Sequence, residues 1–185
     1  MEENTVIAFR SPANFQEDPL TEVLQAGAHK LLAQAYQSQG RLSEALAEVK
    51  TGSSLAPSNQ DFWLMGAEIQ SAMGHHGDAR AWLQEGHRLM PDQGLIAHAL
   101  GRLLATSPEL QVRDGARAVE LATRVANATG DLGHWHTVAE ALAEAGRCED
   151  AAGVMRQILE KVGAESRGPL EARLKAFDKG APCRP

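Results

Sequence analysis

His136, Glu140 and Glu144 recur every four residues, so on a helix they share one face. A histidine and two carboxylates are donors a metal centre can use, and three is the number of protein ligands that a catalytic zinc takes. The set is not completed elsewhere. His134 lies two residues before His136 and points to nearly the opposite side, while His75 and His76 stand in a turn beside Gly74. Adequate ligation needs geometry that this spacing does not supply, so no metal ligand is expected. Cys148 and Cys183 lack the close Cys or His spacing of a zinc site and read as two free thiols, one of them in a frayed tail. The stretch "TGSS" at 51–54 has the composition of a phosphate loop, but it falls at the end of a helical pattern, where turn chemistry accounts for it. There is no G-x-S-x-G elbow and no Walker loop. The sequence therefore predicts no catalytic residue, no cofactor and no enzymatic activity.

The elements that carry these residues follow from composition. Hydrophobic residues reach 43% of the 185 while aromatic residues are only 4%, so the apolar content is mostly Ala, Leu and Val. These suit closely packed helices better than sheets. The net charge is −6, with Arg and Lys scattered singly, which offers no footprint for a nucleic-acid backbone or an anionic membrane. The opening "MEENTVIAFRSP" carries acids where a secretory signal needs bases, and no stretch approaches the roughly 20 apolar residues of a membrane span. A cytoplasmic protein is the expectation.

A shift of 34 superposes Ala33 on Ala67, Gly40 on Gly74, Ala45 on Ala79, Gly52 on Gly86 and Pro57 on Pro91. A shift of 72 superposes Trp63 on Trp135, Gly74 on Gly146 and Ala79 on Ala151. Gly40, Gly74 and Gly146 each end a helical pattern, where the chain turns left-handed. Glu44, Asp78 and Asp150 then fall in the first turn of the next helix, at the positive end of its dipole. Ala45, Ala79 and Ala151 allow two antiparallel helices to approach closely, and Pro57 and Pro91 stop the second helix. Helices are expected near 19–39, 42–55, 59–73, 76–89, 92–106, 114–127, 131–145, 148–162 and 168–178. Asp18 caps the first of these and Asp114 the sixth. The stretch "TSPELQVRD" at 106–114 lengthens the turn in the third unit.

The pattern resembles the tetratricopeptide repeat (TPR), whose period is 34. Leu32, Ala33, Tyr36, Gly40, Ala45 and Pro57 fill its slots in the first unit, Trp63, Ala67, Gly74, Ala79, Leu83 and Pro91 in the second, and Trp135, Ala139, Leu142, Gly146, Ala151 and Met155 in the fourth. The resemblance implies an all-α, right-handed α-α superhelix of about four helix-turn-helix repeats, near 26–59, 60–93, 94–131 and 132–165, within an array over 19–165. A flexible leader over 1–18 precedes it, a capping helix over 166–179 closes it, and a tail over 180–185 follows. Residues 6–35, with "DPLTEVL" followed by "GA" and "LL", secondarily resemble the leader segment of Mutator-type transposases, from which no function is carried over.

In TPR arrays the first helices of successive units line a concave groove that holds a peptide or helix of a partner protein. By that register Lys30, Gln34 and Gln37 face the groove from the first unit, and Asp61, Leu64 and Glu68 from the second. His98 and Arg102 follow from the third, and His136 and Glu140 from the fourth. The carboxylate clamp of one subfamily is excluded, because Met65, Leu95 and Ala99 occupy its further slots. The expected function is a protein–protein interaction scaffold with a protein or peptide partner. The alternatives are an accessory or regulatory domain of a larger enzyme or secretion assembly, and a metal-dependent enzyme built on the His136 face.

Overall fold

The computed structural model describes residues 19–179 and Cys183. The leader over 1–18, its cap Asp18 and most of the tail over 180–185 lie outside the described residues. The described residues fold into helices: α1 (Pro19–Ser38), α2 (Leu42–Leu55), α3 (Gln60–Ala72), α4 (His76–Leu89), α5 (Gly94–Thr106), α6 (Gly115–Thr129), α7 (Leu132–Glu144), α8 (Cys148–Lys161) and α9 (Arg167–Asp178). Every helix lies within two residues of its expected bounds.

Consecutive helices pack in antiparallel pairs, and the glycine turns show why. Gly40, Gly74 and Gly146 take φ of 72°, 79° and 76°. In each turn the next amide reaches back five residues: Arg41 N donates to Tyr36 O at 2.9 Å, His75 N to Gln70 O at 2.8 Å and Arg147 N to Leu142 O at 2.8 Å. That bond closes the orphan carbonyls of the first helix and aims the chain into the second. Ala45, Ala79 and Ala151 are fully buried in the pairs so formed. The expected acids sit in the first turns of α2, α4 and α8.

Rings are laid on glycine both within a unit, Trp63 of α3 on Gly86 of α4, and between units, Phe62 of α3 on Gly52 of α2. A methyl group at Gly86 would stand 2.8 Å from Trp63 Cγ, and one at Gly52 would collide with the Phe62 ring. Trp63 is buried, with its indole N–H donating to Pro57 O at 2.9 Å. Trp135 packs half-buried against the C-terminal core. Helices α3, α5 and α7 also touch one another, so the first helices of the units form a continuous layer.

The long turn of the third unit is anchored at several points. Asp114 caps α6 through Arg117 N at 3.0 Å, and Asp114 N donates to Leu104 O at 2.9 Å. A 3-10 turn at Leu110–Val112 buries Val112, whose carbonyl accepts from Arg80 at 3.1 Å. Arg113 donates to Ser107 O and pairs with Glu144 at 3.1 Å, both side chains nearly buried.

The free-thiol expectation is overturned, because Cys148 and Cys183 form a disulfide, with Cα atoms 5.7 Å apart. Sequence separation hid this, since α9 folds back over α8 and returns the chain to the start of that helix. Cys183 is buried, so the chain at that position is tied down and not frayed.

Candidate functional site

Two neighbouring cavities open on the layer made by α3, α5 and α7. The first, of about 370 Å³, has an apolar floor of Leu64, Ala67, Leu83 and Leu103 with Glu68 and Arg102 at its edge. The second, of about 410 Å³, is lined by Arg102, Thr106, His136, Thr137, Glu140 and Arg173. Arg102 and Thr106 belong to both, so the two form one surface about the middle of α5. Helical periodicity places them there: Glu68, Arg102 and His136 are at 34-residue intervals, hence at equivalent positions of successive first helices.

Of the ten residues expected in a groove, the cavities bring together five: Leu64, Glu68, Arg102, His136 and Glu140. Lys30 and Asp61 pair with each other across α1 and α3. Gln34 is exposed and Gln37 half-buried on α1, away from both cavities. His98 lines neither cavity; its ring meets the edge of His134 at 4.3 Å. Burial, reinforced by His134 and Arg102 and opposed by Asp131, lowers the His98 pKa to about 4. A neutral His98 is a packing group between α5 and α7.

The acids of α7 are both occupied by arginine. Glu140 is buried and takes a two-pronged pair from Arg173 of α9, with His136 Nε2 3.8 Å away. Glu144 is the partner of Arg113. Each carboxylate is thereby neutralised by a different element, as a buried charge requires. The oxygens that could have served a cation are held by guanidinium groups.

Arg173 was missed by sequence reasoning, although a signal existed. Half-buried Leu170 and Leu174 and buried Phe177 form the core-facing stripe of α9, and Arg173 stands within it, its guanidinium 4.6 Å from the Phe177 ring centroid. A charge on an apolar stripe must find a partner. A second signal is distance along the chain: Lys30 and Asp61 are 31 residues apart, Arg113 and Glu144 31, and Glu140 and Arg173 33. Opposite charges separated by slightly less than one repeat meet across neighbouring units. Arg102 stands outside this pattern, for among the described arginines it is the one whose guanidinium makes no hydrogen bond or ion pair.

No protein-family model and no curated protein matches the sequence. Solved structures do. MamA 41-end from Desulfovibrio magneticus RS-1 is similar with a TM-score of 0.63 and 15% identity, over 74% of this chain and 75% of that one. TTC0263, a thermophilic TPR protein of Thermus thermophilus, gives 0.61 and 18% over 88% and 82%. YrrB, described as a TPR protein with an unusual peptide-binding site, gives 0.62 and 16% over 84% and 78%. At such identities the likeness shows the fold: a TPR-type α-α superhelix of four helix pairs, with α9 as the closing helix.

Proposed function

We propose that the chain is a non-enzymatic scaffold that holds a peptide or helix of a partner protein along the layer of α3, α5 and α7. Leu64, Glu68, Arg102 and His136 are its contacts. Lys30, Gln34, Gln37 and Asp61 extend the surface toward α1, while His98 and Glu140 support it from within. The observation that carries this reading is Arg102, a cation whose guanidinium has no protein partner at the meeting point of an apolar cavity and a polar one. An apolar floor fixes affinity and a few polar groups fix orientation, which suits a peptide side chain beside a charged one. TPR proteins are in general protein-binding, and YrrB's printed description points the same way.

For the compartment, no described helix is long and apolar enough to cross a membrane. The cytoplasmic expectation meets an opposing argument in the Cys148–Cys183 disulfide, since such bonds persist where the milieu is oxidising.

The test is a charge-reversed chain, Glu68→Lys with Arg102→Glu, beside Lys50→Glu with Glu160→Lys on the outer helices α2 and α8. All four side chains are exposed, so each double variant should keep the wild-type melting temperature to within about 0.5 kcal/mol of stability. Binding of a partner recovered by cross-linking should weaken at least tenfold in the first variant, because charges in a groove orient a charged segment. Loss in the second variant and retention in the first would place the binding surface on the outside.

A further inference from the structure

Glu68 of α3 and Arg102 of α5 flank the cavity of about 370 Å³, and both are exposed. Among the described residues, neither side chain has a hydrogen-bond or ion-pair partner. We propose that the partner presents an extended segment in which one bulky apolar side chain has a basic side chain on one flank and an acidic side chain on the other. The base meets Glu68, the apolar group enters the cavity, and the acid meets Arg102. This rests on the layer of α3, α5 and α7 being the binding face.

Spacing explains why the two charges stay apart. Lys30 with Asp61, Arg113 with Glu144 and Glu140 with Arg173 are 31, 31 and 33 residues apart, and each pair closes across neighbouring units. Glu68 and Arg102 differ by a full repeat, so they hold equivalent positions on α3 and α5, whose axes as packed helices are about 8–10 Å apart. Equivalent positions point the same way. The cavity is left between the two charges.

The other charges of this surface are spent within the chain. Both oxygens of Glu140 are taken by Arg173, and Asp61 is taken by Lys30. With histidine counted as neutral, a ligand therefore finds one negative and one positive charge at the cavity, which sum to zero. A segment that carries one of each is the complement, and the chain's net charge of −6 neither recruits nor repels it. Two acids would set one of them against Glu68, and two bases would set one against Arg102. Those like-charge contacts select the partner.

Size and pitch agree with a short segment. About 370 Å³ is at the lower end of the volumes that hold a small molecule, so the floor of Leu64, Ala67, Leu83 and Leu103 takes one large side chain. In an extended chain every second side chain shares a face and the rise is about 3.3 Å per residue, so three alternate positions span about 13 Å. From that span long lysine and glutamate side chains lean in onto Glu68 and Arg102.

Fluorescein-labelled, C-amidated peptides of the form Gly-Ser-X-Ala-Leu-Ala-Z-Ser-Gly test this by anisotropy on the full chain. X and Z are Lys and Glu in both orders, Glu and Glu, Lys and Lys, or Gln and Gln. Wild type should bind one of the Lys/Glu peptides about fivefold more tightly than the other three kinds, the upper end for an exposed ion pair. Arg102→Glu should move the preference to the Lys/Lys peptide and Glu68→Lys to the Glu/Glu peptide, while Lys50→Glu on α2 should behave as wild type. A gain of the complementary peptide cannot come from misfolding. Equal binding of every peptide, abolished alike by filling the cavity with Ala99→Leu, overturns the charge assignment and leaves the groove reading standing. Binding that Ala99→Leu does not touch overturns both. No binding of any peptide at about 1 mM chain also overturns the proposal, and leaves the groove to a helix.

Discussion

His98 shows how an individual side chain in this array is governed by what packs on it. In the folded chain its pKa is lowered to about 4, chiefly by burial, whereas unfolded it titrates near the ordinary 6.5. Between those values the unfolded chain binds the proton that the folded one refuses. Stability is therefore complete above pH 6.5 and declines as the pH falls toward 4, by about 2 kcal/mol once the water on its half-exposed side is allowed for. Urea midpoints across that range should show the slope, and His98→Gln should flatten it. An unaltered slope in the variant would assign it to other groups. The sequence made the positions of Leu64, Glu68, Arg102 and His136 legible, because a 34-residue period carries direction from one unit to the next. It did not show what His98 and Glu140 pack against, because periodicity tells where a side chain points and not what the following helix places there. His134 and Arg173 supply those answers from α7 and α9.

Helix–helix contacts divide the glycines into two kinds, and their substitutions should have opposite signs. A methyl group at Gly115, in the first turn of α6, would stand 2.5 Å from Ala145 N and 2.8 Å from its Cα, atoms of backbone that cannot step aside. Gly115→Ala should cost about 1–3 kcal/mol despite alanine's better helix propensity. At Gly153 in α8 the same methyl meets nothing within 4 Å, so Gly153→Ala should gain up to about 1 kcal/mol. Denaturant titration of the two variants checks the signs, and equal effects would refute the close approach of α6 to the end of α7. The elements themselves were legible to within two residues because glycine, acid, alanine and proline each act locally. The bracing of the 106–114 turn by Arg80 and Arg113 was not, since both partners come from the flanking units.

The molecule as a whole is closed at its C-terminal end by a covalent tie as well as by packing. The Cys148–Cys183 bond encloses a loop of 35 residues that contains α9. Cross-linking a loop of that length should contribute about 4 kcal/mol, so Cys183→Ser, or reduction, should lower the melting temperature by several degrees. Hydrogen exchange should then accelerate first in α9 and the end of α8. Equal stability with and without reductant would show the tie to be redundant. At the other end of the array, the Phe62 ring bears directly on the backbone of Gly52 between the first two units, and Trp63 does the same on Gly86 inside the second. The early turns of the superhelix should consequently resist stretching like a stiff spring, and a ligand arriving there must fit the pitch that it finds.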